Sequence, residues 1–354
     1  MEFISEYGLF LLKAITIVIA ILAVAGGIIS MGMRQHQSRQ SESLELTNLN
    51  DKYDSMHDAL KQALLDPGAQ KLAAKEEKKK KKAEAKRQAK DAKKLAREER
   101  EPPVKKHLFV LDFDGDIKAT PVDNMREEIS ALLTLATEND EVLVRIESGG
   151  GAVHAYGVAA SQLQRIRDLR SPLTVAVDRG AASGGYLMAC VADKVIAAPF
   201  SIIGSIGVLA QIPNFNKLMK KNDIDFEQLT AGKYKRTLTL LGENTEEARQ
   251  KMQEELEEVH DQFKDFVGSR RPDMDIEQVA TGEHWLGERA RQLGLVDELR
   301  TSDDYLMSQR ENASLIQLKY TGQQTLMEKI TSRMSLLAHR FGKHSAEEQY
   351  PKLM

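Results

Sequence analysis

Ser183 sits among the smallest side chains the alphabet offers: Gly180, Ala181 and Ala182 precede it, and Gly184 and Gly185 follow. Leu173 to Val177 before it reads as a buried strand, and Tyr186 to Val191 after it has helical character. A serine placed where a strand hands over to a helix suits nucleophilic chemistry. The turn pushes the hydroxyl outward, small neighbours let a substrate backbone approach, and amides at the helix start can face a developing oxyanion. The same residues would also serve as a tight turn packing a helix onto a sheet. Ala181 stands where the GxSxG pattern needs glycine, so the turn departs from the α/β-hydrolase signature.

A nucleophilic serine needs a base. His154, His260 and His284 are the available histidines, and each lies in a stretch that reads as ordinary surface. The alternative is a lysine, which must be neutral to act although free lysine titrates near about 10.4. Apolar burial away from carboxylates lowers that value. Lys235 follows Gly232 and Tyr234 and leads into Thr237-Leu238-Thr239-Leu240-Leu241, so apolar surroundings are available to it. Lysines in such loops are also commonly solvated charges.

These candidates must be positioned by alternating elements. His107 to Phe113 and Glu141 to Glu147 read as strands, while Asn124 to Ala136 and His154 to Leu169 carry helical patterns. Strand and helix therefore alternate up to Ser183, which predicts an α/β fold with a parallel sheet and crossover helices. Ser148-Gly149-Gly150-Gly151 and the Ser183 turn both close C-terminal ends of strands, where sites in such folds form. A further Gly/Ser turn spans Pro199 to Val208. Asn244 or Thr245 caps a long helix with the stripe Ala248, Met252, Leu256, Val259, Phe263 and Phe266. After Leu299 the pattern weakens, and Leu326, Ile330, Met334, Leu337 and Phe341 predict a last amphipathic helix.

The N-terminal third is of another kind. Ala14 to Met33 is an uncharged run of 20 residues, enough for a transmembrane helix. Glu2 and Glu6 precede it, unlike the basic start of a cleaved signal peptide. Leu46, Leu49, Tyr53, Met56, Leu60 and Leu64 form a short stripe, either a coiled coil or a helix lying on the domain. Lys71 to Lys106 carries a net charge of +9 inside a chain of net −3. With no interleaved aromatics, that segment suits anionic lipid headgroups better than nucleic acid, and no nucleic-acid partner is expected. The positive-inside rule places the bulk of the chain in the cytoplasm. Cys190 is the single cysteine, so no intrachain disulfide is possible. No motif with metal-ligand spacing and no phosphate loop occurs, and no cofactor is expected.

Taken together, Gly180 to Tyr186, Ile203-Gly204-Ser205-Ile206-Gly207-Val208, the Ser148 to Gly151 loop, the Gly232-Lys233-Tyr234-Lys235 loop and Ala290 to Asp297 resemble the signal peptide peptidase A family of serine–lysine proteases. The anchor, basic linker and single catalytic unit resemble its SohB branch. The resemblance covers about Val104 to Leu299 and implies a crotonase/Clp-protease-like fold of repeated strand–strand–helix units. It implies Ser183 as nucleophile, Lys235 as general base, Ser205 as the group orienting the lysine, and the amides of Gly150 and Gly184 as the oxyanion hole. Gly149 stands where the family often has proline, which loosens the loop and removes no catalytic side chain. A peptide or protein substrate, a lipid membrane and a homo-oligomer with shared sites are the implied partners. Several family relatives work outside the membrane, against the charge rule. The expected organisation is a membrane segment over 1–34, a coiled and basic helical linker over 35–103, a peptidase domain over 104–302 and a C-terminal helical extension and tail over 303–354. Two other functions compete: a crotonase-like enzyme acting on a coenzyme A thioester, and a non-catalytic membrane scaffold.

Overall fold

Near-continuous apolar runs, the mark of strands buried on both faces, build a mainly parallel sheet. The computed structural model describes residues 43–64 and 106–321. By its contacts residues 46–319 form one compact unit. Strands β2 (His107–Gly115), β3 (Glu141–Ser148), β4 (Leu173–Val177) and β6 (Lys194–Ala197) run parallel in that spatial order. Between them the chain crosses through helices α2 (Val122–Leu133), α3 (Val153–Asp168) and α4 (Gly184–Ala189). Short β9 (Glu298–Leu299) extends the sheet beyond β6. β10 (Ser314–Thr321) pairs with β2 on the other side, and β1 (Ser43–Asn48) lies at that edge.

β10 is a strand that the fading pattern after Leu299 does not show. Its alternation is weak because it lies near the sheet edge, with only Leu315 and Leu318 of its side chains buried. The sheet face it joins packs Leu108, Val110, Leu143, Ala176, Ile196 and Leu315 against helix α1 (Leu49–Leu64) and helix α9 (Ser302–Gln309) through Leu49, Tyr53, Tyr305 and Leu306. Of the stripe on α1, only Leu49 and Tyr53 serve that contact; Met56, Leu60 and Leu64 are exposed.

One departure from a plain sheet creates the site. β3 pairs with β4 as far as Arg145 opposite Ala176, and then with another strand, β5 (Gly180–Ala182), at Ser148 opposite Ala181. The bend at Asp178 and Arg179 therefore shifts the chain from the main sheet into a side layer. There β5 pairs in parallel with β7 (Ile202–Gly204), which pairs antiparallel with β8 (His284–Leu286). The sequence reads Gly180 to Ala182 as turn, since such small residues carry no strand propensity; pairing with β3 and β7 makes them a strand. Residues 209–245, including the short helix α5 (Asn216–Lys221), then form an arm that leads into α6 (Glu246–Arg270). Thr245 caps α6, its hydroxyl accepting the Ala248 amide at 3.2 Å. Helices α7 (Ile276–Val279) and α8 (Gly287–Gln292) complete the unit.

The span expected at 14–33, the basic segment at 71–100 and the amphipathic helix at 326–341 lie outside the described residues. Among the described residues no helix is long and apolar enough to cross a membrane.

Candidate active site

Ser183 joins β5 to α4 at φ 51° and ψ −119°. Positive φ is unusual for a residue with a Cβ and costs about 1–3 kcal/mol, so something must impose it. Two backbone bonds do. The Ser183 amide donates to Gly204 O at 2.8 Å, and its carbonyl accepts the Leu187 amide at 2.9 Å. The hydroxyl is thereby held at the rim of a strand-to-helix turn, half-buried, without a capping bond of its own.

The first glycine loop lies directly against this turn. A Cβ on Gly150 would stand 2.7 Å from Ser183 Cβ, 2.7 Å from Gly184 N and 2.8 Å from Ala182 O. Gly150 is itself at φ +84°, and its amide donates to Ser148 Oγ at 3.1 Å. Gly184 opens α4, where the first amides of a helix have no partner within it. The Ser205 turn lies on the other side. Because Ala182 is in register with Gly204, Ser183 and Ser205 follow side by side, both at φ 51°. Ser205 donates its amide to Glu283 O at 2.6 Å, and Gly204 lies so near the Trp285 ring that a Cβ there would come within 2.8 Å. So Ser183, Gly184, Gly150 and Ser205 are brought together by three neighbouring strand ends.

None of the candidate bases bonds to Ser183 among the described residues, although β8 sets His284 opposite Gly204. Lys235 is exposed in the 209–245 arm, and its amine has no hydrogen bond or ion pair among the described residues. The arm is held by bonds within it, Phe215 N to Leu240 O, Asn216 Nδ2 to Leu241 O and Lys220 to Glu243, and by bonds to the start of α6, Lys233 to Glu247 and Arg249 to Asn244 O. Its apolar side chains face outward, with Leu209 75 % and Leu229 91 % exposed, and Phe215, Leu218 and Ile224 also open. The stripe on α6 is better covered: Met252, Leu256, Val259, Phe263 and Phe266 are half-buried and Val267 is fully so.

The neighbouring lysine is a different case. Lys233 pairs with Glu247 at 2.7 Å, and that hydrogen bond, followed by the one to Tyr234, holds the amine protonated well above the usual lysine range. It is unsuited to be a neutral base. His154 and His284 are exposed, and His260 lies on α6 with its Nε2 buried and without a partner; none bonds to Ser183 among the described residues. Burial pushes the Cys190 thiol up to about 12, which leaves it an inert core group.

Beneath the site lies a pair that the sequence reading does not single out. Tyr156 on α3 is fully buried and Ser148 nearly so. Their oxygens are 2.5 Å apart, and the tyrosine hydroxyl also donates to Asp116 O at 2.7 Å. Burial, opposed by the Ser148 bond, raises the Tyr156 pKa, so the phenol keeps its proton. Only the tertiary approach of α3 to the loop reveals the pair; a tyrosine eight residues after a serine carries no motif.

Comparison with known proteins gives the family. The family model described as Peptidase family S49 N-terminal matches residues 2–163, and Peptidase family S49 matches residues 165–315. A protein of Haemophilus influenzae named Probable protease SohB is 48 % identical over 328 residues, covering 93 % of this chain and 92 % of that one. A protein of the same name from Buchnera aphidicola subsp. Schlechtendalia chinensis is 47 % identical over 310 residues, 87 % of this chain and all of that one. Among solved structures, a mutant of the 1510-N membrane-bound stomatin-specific protease in complex with a substrate peptide aligns at 14 % identity and a TM-score of 0.41. It covers 66 % of this chain and 99 % of that one.

The family models and these relatives define a peptidase. The chain belongs to peptidase family S49, on the branch of the proteins named SohB.

Proposed function

We propose that the chain is a membrane-anchored serine endopeptidase for hydrophobic or unfolded peptides, residual signal peptides among them, working through a Ser183–Lys235 dyad. The observation that carries the reading is the imposed conformation of Ser183 between two glycine turns. Neutral Lys235 takes the Ser183 proton as Oγ adds to the substrate carbonyl. The Gly184 amide and the Gly150 amide, the latter sharing its proton with Ser148 Oγ, hold the oxyanion. The tetrahedral intermediate collapses as the lysine returns the proton to the leaving amine, and water then cleaves the acyl-enzyme by the same path. Ser205, beside Ser183, orients the lysine amine. A thioester enzyme of the crotonase type would have no use for this strained serine.

An exposed Lys235, its amine without a partner among the described residues, on an apolar arm suits a base delivered to Ser183 of a neighbouring copy in a ring, in a crotonase/Clp-like assembly. The same reading assigns 1–34 to a single-pass anchor in the cell membrane, 35–103 to a linker, 104–302 to the peptidase domain and 303–354 to an extension. The charge rule puts the peptidase domain on the cytoplasmic side, with the outer side as the alternative.

The test is hydrolysis of a fluorogenic apolar peptide by purified variants. Ser183→Ala and Lys235→Ala each abolish turnover while the fold, read by circular dichroism, persists; Ser205→Ala reduces it less. Full turnover in either of the first two overturns the dyad.

A further inference from the structure

Tyr156 connects the two amides proposed to hold the oxyanion. Its hydroxyl has one proton, which goes to Asp116 O at 2.7 Å. The serine proton has two acceptors within reach, Gly115 O at 3.2 Å and the tyrosine oxygen at 2.5 Å; with the tyrosine proton on Asp116 O, the shorter contact takes it. Ser148 Oγ, its donor spent, accepts the Gly150 amide at 3.1 Å. One chain of bonds thus runs from the Asp116 backbone through Tyr156 and Ser148 to Gly150. The tyrosine ring has a second contact. A Cβ on Gly184 would stand 2.3 Å from Tyr156 Cγ, so the first residue of α4 rests on the ring itself. Gly185 is as close to the loop, since a Cβ there would come 2.7 Å from Ser148 O. The post is rigid: Tyr156 is fully buried, and the edge of its ring meets Phe113 with centroids 6.2 Å apart.

We infer that Tyr156 is a positioning residue for peptide hydrolysis: through Ser148 it sets the Gly150 amide, through its ring it sets the Gly184 amide, and so it fixes the gap that receives the substrate carbonyl. The inference rests on the Ser183 reading above. Tyr156 touches no substrate, and its effect is exerted on a group that develops charge only in the transition state. Loosening it therefore lowers kcat and leaves KM unchanged.

The experiment uses the full-length protein, a fluorogenic peptide and a peptide boronate, which adds to serine as a tetrahedral anion. Tyr156→Phe keeps the ring and removes the hydroxyl. Deleting an oxyanion donor costs about 10²–10³ in kcat, and a donor that is loosened but present costs less, about tenfold. The boronate weakens by the same factor, while the cleaved product peptide binds as to wild type. Ser148→Ala gives a similar loss, and the double variant is little worse than either single one, because the two hydroxyls act in series. If Tyr156→Phe does not fold, Ser148→Ala cuts the same chain one bond later and decides the matter. Unchanged kcat and boronate affinity in the folded variant, or loss of thermal stability alone, overturns the inference while wild-type adduct formation at Ser183 leaves the site reading standing. Failure of wild type to form that adduct overturns both.

Discussion

Gly150→Ala is the substitution whose cost can be worked most directly from the geometry. The new methyl would lie 2.7 Å from both Ser183 Cβ and Gly184 N and 2.8 Å from Ala182 O. Ordinary carbon contacts lie at about 3.5–4.0 Å, so the two chains must part by roughly 0.8 Å. None of these atoms is the end of a flexible side chain, so the backbone of the nucleophile turn has to move. The φ of +84° adds a left-handed penalty of about 1–2 kcal/mol for a residue with a Cβ. Overpacking adds about 1–3 kcal/mol. The expected loss of stability is thus about 2–5 kcal/mol, read by urea unfolding. Activity should suffer more, because a misplacement of about 1 Å in a catalytic constellation can cost about 10²-fold. Gly149→Ala is the matched control: nothing lies within 4 Å of a Cβ there. It should stay within about 0.5 kcal/mol of wild type and keep its kcat. A Gly150→Ala protein as stable and active as Gly149→Ala would refute the packing of the glycine loop on Ser183.

Other consequences are open to measurement. Asp140 is buried, yet the amides of His107 and Thr137 and the Thr137 hydroxyl overcome that burial and hold its pKa below the usual carboxylate value. A depressed folded pKa contributes stability that is fully present above about pH 4 and is lost as pH falls through the lowered value. Asp140→Asn should cost about 1–3 kcal/mol at neutral pH and flatten the acid limb of the stability curve; an unchanged limb would rule out that role for Asp140. Thr245→Ala should destabilise by about 1 kcal/mol through loss of the α6 cap, measured by thermal unfolding. Mixing Ser183→Ala with Lys235→Ala chains should recover part of the wild-type turnover if the dyad is shared between copies; no recovery at any concentration argues against sharing.

How much of this was legible in the sequence follows from range. β2, β3 and β4, α2 and α3, and the Thr245 cap are local patterns, and their expected positions agree with the structure to within a few residues. The Ser183, Gly150 and Ser205 turns could be named because their glycines and serines are unusual in composition and spacing. β5 could not, because three tiny residues become a strand only through β3 and β7. The Tyr156–Ser148 post was invisible for the same reason: it is made by a helix returning to a loop, and each residue alone reads as ordinary. Lys235 is the reverse case. Its neighbours mark it as one lysine with apolar residues nearby and the family resemblance gives it the role of base, yet within one chain the arm leaves its amine without a partner among the described residues.

That Ser183 is the nucleophile and Lys235 its base can be put to a single trial, a fluorophosphonate serine probe followed by peptide mapping. The expected result is one adduct, on Ser183, absent in Ser183→Ala and formed at least about 100-fold more slowly in Lys235→Ala, the scale of losing a general base. Labelling of another serine, or of Ser183 at the wild-type rate without Lys235, would contradict the dyad.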